Sequence, residues 1–303
     1  MATAPSASTF AALLRAEGLA VVEVGDWESH NRNHKGPWGP VHGVMIHHTV
    51  TKGTDASVRI CRDGYSGLPG PLCHGVIDKQ GVVHLVGYGR ANHAGLGDDD
   101  VLRAVIAERA LPADNEATTD GNRHLYGFEC INLGDGKDPW PEAQLLAIER
   151  VSAAICRHHG WTERSVIGHL EWQPGKVDPR GFTMDSMRSR IGKRLGSKNP
   201  AAPLPTPKRP VVDLSRLRGA ARQDPPKRGT PVSYSGVRTV EAALVDEGLL
   251  SKRYDDGHFG SATVSAYAAW QRRLGYRGRD ADGIPGKTSL TKLGKRHGFD
   301  VKD

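Results

Sequence analysis

Three side chains in this 303-residue sequence could meet at one cation. His47 follows the apolar residues Val44-Met45-Ile46, His169 follows Val166-Ile167-Gly168, and Asp178 precedes Pro179. Two imidazoles and one carboxylate, with a fourth position left for water, are the donor set of a catalytic zinc centre. Asp178 stands nine positions after His169, too far for one helix face, so a loop must fold back to return the carboxylate to the ion. Spacing alone is a weak signal, because most of the fourteen histidines must be surface or hydrogen-bonded residues.

Such groups need rigid elements behind them. The run Val41 to His48 reads as a buried strand that delivers His47, Gly75 to Val86 as two strands around a glycine-containing turn, and Tyr126 to Ile131 as a further strand. Between Pro141 and His159, residues Leu145, Ile148, Val151 and Ile155 recur at helical spacing, with Pro141 suited to the first turn and Gly160 to the stop. Thr183 to Leu195 repeats the pattern with Met184, Met187, Ile191 and Leu195, and offers Thr183 or Asp185 as a cap. Strands interleaved with amphipathic helices imply an α/β domain whose sheet is covered by helices.

The length suits one domain of about 200 residues and a smaller one. A proline-rich stretch from 196 to 233 divides residues 1–195 from 234–303 and reads as an extended, semi-rigid connector. Between 201 and 230, seven basic and two acidic residues leave +5 of the overall +7. That charge is either a solvated spacer or an attraction to an anionic polymer. No aromatic residues interleave with it, which argues against nucleic acid. No apolar run approaches the roughly 18 to 20 residues of a membrane span, and the first residues carry neither the basic nor the apolar region of a Sec signal. Cys61, Cys73, Cys130 and Cys156 have no C-x-x-C spacing and read as buried thiols, with Cys61 and Cys73 close enough in sequence to pair in an oxidising medium. Beyond the connector, Val237 to Leu250, Ala262 to Leu274 and a short segment near Lys287 are helical by period. Two turns there, Asp256-Gly257-His258-Phe259-Gly260 and Asp282-Gly283-Ile284-Pro285-Gly286, share D-G-x-x-G, with Ser or Thr beyond them as expected helix caps.

Four segments occur in a telling order: Met45-Ile46-His47-His48-Thr49, Asn92-His93-Ala94-Gly95, Tyr126-Gly127-Phe128-Glu129, and Gly168-His169-Leu170-Glu171-Trp172-Gln173-Pro174-Gly175-Lys176-Val177-Asp178-Pro179. Together they resemble the type 2 N-acetylmuramoyl-L-alanine amidases over roughly residues 20 to 195. That family includes phage endolysins, bacterial muropeptide amidases and animal peptidoglycan recognition proteins. The resemblance implies a mixed central sheet flanked by helices and Zn2+ on His47, His169 and Asp178, the last being aspartate where many members have cysteine. It implies Glu129 as general base toward water and Lys176 as the cation beside the developing oxyanion. Members that use a tyrosine base carry it where this chain has Cys73, which favours Glu129. A strand carboxylate paired with a basic group is the other reading of Glu129. His48 is then expected to face the substrate or the sheet interior, and His93 and Trp172 to contact substrate, with Trp172 stacking on a sugar or merely covering the cleft. His74 is left between a hydrogen-bonded structural residue and a partner to the ligands.

Residues 234 to 298 resemble a three-helix peptidoglycan-binding domain. The implied protein is a monomeric endolysin that cuts the bond between N-acetylmuramic acid and L-alanine in bacterial peptidoglycan, resident in the host cytoplasm until a holin or cell rupture releases it. A non-catalytic peptidoglycan recognition protein, or a zinc peptidase acting elsewhere in the stem peptide, are the competing expectations.

Overall fold

The segment Gly43–His48 is buried at every position, which requires a neighbour on both edges and a layer on both faces. The computed structural model, which describes residues 2–197, 209–222 and 234–303, supplies them. The chain divides into two units, Met1–Pro207 and Lys208–Asp303. In the first, β1 (Val21–Glu23), β2 (Gly43–His48), β3 (Gly75–Ile77), β4 (Val83–Leu85), β5 (Leu125–Cys130) and β6 (Val166–Gly168) form one sheet in the order β1-β4-β3-β5-β2-β6. The pairings are parallel except β3 with β4, so the sheet is mixed.

The first unit also contains helices α1 (Ala7–Ala16), α2 (Thr54–Asp63), α3 (Asp99–Ile106), α4 (Glu142–His159) and α5 (Met184–Gly196). Their ends follow local chemistry. The side chains of Ser6, Asp98 and Thr183 accept N–H groups of the first turns of α1, α3 and α5. At Gly160 the backbone is left-handed (φ 72°), which stops α4 where glycine was expected to.

Alternation along the strands decides which residues face which layer. Val44, Ile46, Tyr126, Phe128 and Val166 pack in one cluster with α1, α4 and α5, each large aliphatic or aromatic side chain contributing about 1.5–3 kcal/mol by its burial. Met45, Leu125 and Ile167 point the other way, onto Val101, Leu102 and Val105 of α3 and onto Trp172. Beside them Val58 and Cys61 of α2 cover Cys73, Val76 and Ile131. All four cysteines are free and buried. Burial, then a hydrogen bond with Cys61, pushes the Cys73 thiol well above its ordinary pKa. Among the described residues, no helix is long and apolar enough to cross a membrane.

In the second unit, residues 209–222 depart from the expected extended connector. Val211–Asp213 is a strand, β7, and Leu214–Arg222 a helix, α6. The helices α7 (Gly236–Asp246), α8 (Ser261–Arg273) and α9 (Lys287–His297) follow, and β8 (Asp300–Lys302) returns to pair parallel with β7. The three helices expected between 234 and 298 are present, and the unit adds α6 and the β7–β8 pair to them. Val212 on β7 and Leu214 and Leu217, three apart on α6, pack in one core with Val237, Leu244, Trp270, Leu290 and Phe299. Several cations counted as tether charge are spent inside this unit. Arg209 pairs with Asp300, Arg216 lies over the Tyr234 ring at 4.5 Å, and Arg218 donates to Pro285 O. Residues 198–208 and 223–233, which hold the rest of the expected connector, lie outside the described residues.

The two D-G-x-x-G turns are held by side chains from the preceding helices, and at the second Ser289 Oγ also accepts from Gly286 N (3.3 Å), the capping expected there. Glu241 of α7, fully buried, accepts from Gly257 N (2.7 Å) and Thr263 Oγ1 (2.9 Å). Gln271 of α8 accepts from Gly283 N (2.7 Å) and donates to Ile284 O (3.0 Å). Gly283 is left-handed (φ 82°), and a Cβ there would stand 2.3 Å from Val264 O.

Candidate active site

Three parallel strands, β2, β5 and β6, end at the same edge of the sheet, where open α/β sheets place their ligands. His47 is the residue after Ile46 on β2 and, by alternation, shares the face of Met45. Glu129 is its register partner on β5. His169 comes directly after Gly168 at the end of β6. The loop that follows folds back as its length demanded, with Leu170 N–H donating to Asp178 O at 2.7 Å. Its start is fixed by Glu171, which accepts from Gly168 N (3.0 Å) and from both terminal nitrogens of Arg188 on α5 (2.9 and 2.8 Å).

The result is a tight convergence. Asp178 Oδ2 lies 3.0 Å from His47 Nδ1 and 3.1 Å from His169 Nδ1, and the two ring nitrogens are 3.1 Å apart. These residues form one of the groupings of possible metal donors among the described residues. Donors around a tetrahedral ion with bonds of about 2.0–2.1 Å stand about 3.3 Å from one another, so the three atoms fit a small divalent ion. Burial opposes the charge on Asp178, but the rings of His169 and His47 outweigh it and hold the carboxyl below the usual carboxylate range. Burial also lowers His47, to about 4 despite Asp178, which keeps its ring neutral and able to ligate. The other grouping, Asp98, Asp99 and Glu116, is engaged otherwise: Asp98 accepts backbone N–H groups of Asp100, Val101 and Asn115, and Asp99 pairs with Arg103.

Glu129 Oε2 is buried without a hydrogen-bond partner. Burial, reinforced by Asp178 and opposed by Lys176, raises its pKa to about 8. A carboxyl lacking a basic neighbour in contact does not fit the reading of a strand ion pair. Lys176 is exposed on the 169–178 loop, where its charge acts on both Glu129 and His47.

Residues 37–181 match the family described as N-acetylmuramoyl-L-alanine amidase. That match lies wholly within the first unit. No curated protein matches the chain. Among solved structures, the chain is similar to the endolysin N-acetylmuramoyl-L-alanine amidase LysCS from Clostridium intestinale URNW, with TM-score 0.38 and 16% identity over 56% of this chain and 94% of that one. It is similar to a mutant endolysin from Bacillus subtilis, with TM-score 0.40 and 17% identity over 57% and 99%. A peptidoglycan recognition protein of Drosophila, PGRP-SA, gives TM-score 0.29 and 16% identity over 44% and 70%. At these TM-scores the likenesses carry no argument about the site.

The three residues of the first unit expected at the substrate, His48 with the sheet interior as its alternative, are all buried. Trp172 is fully buried; its indole N–H donates to Ala94 O (2.9 Å), and Gly97 and Gly121 lie so close that a Cβ at either would enter its ring. It has no face to stack on a sugar. His93 is buried beneath His47, with Nδ1 3.1 Å from His47 Nε2 and Nε2 3.1 Å from Leu125 O. Burial first, then the neighbouring His47, depresses its pKa well below the ordinary value. His48, also buried, accepts from Arg180 N (3.1 Å), which ties the end of β2 to the residue two beyond Asp178. His74 resolves as structural: its Nε2 meets Gly89 O and its Nδ1 accepts from Gly127 N, both at 2.9 Å.

Asn122 escaped the sequence reading. Its Oδ1 accepts from both His93 N and Ala94 N at 2.8 Å, holding the Asn-His-Ala-Gly segment in place. A lone asparagine in a polar stretch carries no sequence signal of such a task. Gly127 did carry one, as the glycine of Tyr-Gly-Phe-Glu: a Cβ there would meet the His93 ring at 2.4–2.7 Å.

Proposed function

We propose that the first unit hydrolyses the amide between N-acetylmuramic acid and L-alanine in bacterial peptidoglycan, with zinc held by His47, His169 and Asp178, and that the chain acts as a phage endolysin. The observation that carries the reading is the convergence of these three donors within 3.1 Å beside the carboxyl of Glu129, whose Oε2 is buried without a partner. Zinc bound there would supply a Lewis acid for the scissile carbonyl and make water a better nucleophile.

The chain's own residues account for the proton and the charge. Glu129 takes the proton of the attacking water and delivers one to the departing L-alanine nitrogen, leaving a free amine and a lactyl carboxylate. Lys176, the exposed cation of the 169–178 loop, is the group that would stabilise the oxygen that becomes negative as the carbonyl is attacked. The second unit is proposed as a wall-binding module that keeps the catalytic unit near an insoluble substrate.

Digestion of purified walls followed by mass spectrometry of the new ends tests the proposal. Free L-alanine amino termini with intact muramic acid are expected. New reducing sugars would indicate a glycosidase, cleavage elsewhere in the stem a peptidase, and binding without new ends a recognition protein.

A further inference from the structure

We propose that His93 fixes the tautomer of His47, so that His47 meets the metal through Nδ1 with its Nε2 proton committed to His93. The inference rests on the reading of His47, His169 and Asp178 as a metal site.

The chain of hydrogen bonds leaves one assignment. Leu125 O is a backbone carbonyl and can only accept, so the 3.1 Å contact from His93 Nε2 requires a proton on that nitrogen. A neutral imidazole has one N–H, so His93 Nδ1 is an acceptor. His47 Nε2, 3.1 Å from it, must then be the donor. The remaining lone pair of His47 is on Nδ1, the atom that faces His169 Nδ1 and Asp178 Oδ2. The two rings stand nearly perpendicular, at 86°, so the N–H of one runs edge-on to its neighbour.

The support behind His93 is built to the same end. Asn122 clamps the His93 and Ala94 amides, the absence of a side chain at Gly127 leaves room for the His93 ring above β5, and Trp172 holds Ala94 O from the loop that carries His169 and Asp178. His93 is a positioning residue: it touches a ligand, and its effect on the reaction passes through that ligand.

The full chain, labelled with 15N-histidine and loaded with 113Cd, provides a direct test. Scalar coupling between cadmium and Nδ1 of His47 is expected, with protons on Nε2 of both His47 and His93. Coupling to His47 Nε2, or an unprotonated His93 Nε2, overturns the assignment while leaving the metal site standing. Absence of coupling to His47 and His169 alike removes the metal site and the inference with it. A second arm uses chelator competition. His93→Leu should weaken zinc binding by about 10- to 100-fold, whereas His93→Gln, whose amide oxygen can accept from His47 Nε2–H, should bind more tightly than His93→Leu at a matched thermal midpoint. A folded His93→Leu variant with parental affinity overturns the proposal, and if that variant does not fold the cadmium spectrum of the parent chain still decides.

Discussion

Glu129 is the residue on which the proposed chemistry turns, because its Oε2 is buried without a hydrogen-bond partner and it sits in register with the proposed ligand His47. Glu129→Gln preserves its shape and removes its basicity; metal content and fold should persist while turnover on muropeptides falls by roughly 100-fold or more. Lys176→Ala should behave likewise, since the side chain is exposed and loses only its charge beside the oxyanion. Near-parental turnover in Glu129→Gln would move the base elsewhere. That His47, His169 and Asp178 would come together, with Glu129 nearby, could be read from motif order, because each stands at the end of an apolar strand or in the loop after a Gly-His step. His93 and Trp172 were legible only as motif members. Whether a histidine or tryptophan in such a segment faces substrate or lies beneath a ligand depends on burial, and both proved buried behind the centre.

At the scale of elements, β5 must present a bare backbone under His93. Gly127→Ala would place a Cβ 2.4 Å from His93 Nδ1. Overpacking of this kind costs about 1–3 kcal/mol, and the displaced ring should also weaken metal binding; a lowered thermal midpoint together with reduced zinc affinity is expected, and unchanged values of both would remove the steric argument. In the second unit, burial raises the Glu241 pKa from 4.5 to about 7, against the hydrogen bonds from Gly257 and Thr263. An acid that binds its proton more tightly when folded stabilises the fold fully below about 4.5, and that contribution is lost as pH rises through about 7. The opening free energy reported by hydrogen exchange of Leu244 and Tyr267 amides in the full chain should therefore fall across this window, and Glu241→Gln should flatten the dependence. Stability that climbs with pH over the same range would contradict it. The long helices and buried strands were legible because their apolar periods are long. β7 and α6 were not, since they are short and lie among prolines and arginines whose composition suggests a connector, while their few apolar side chains find partners only in the remote α7–α9 core.

For the whole molecule, every proposed ligand and catalytic group lies in the first unit, Met1–Pro207, and the second unit has a core of its own. A chain ended after Ser197 should bind zinc and cleave small soluble muropeptides about as well as the full chain, yet lose activity on intact walls by 10²-fold or more as the tether's effective concentration is lost. Equal lysis of walls by both would deny the second unit a binding role. The most direct test of the central claim is a zinc titration of chelator-stripped full-length protein, with release of L-alanine amino termini from purified peptidoglycan as the readout. Activity should be absent without metal, return in proportion to bound zinc and saturate at one ion per chain. Full amidase activity in the metal-free protein would contradict the account.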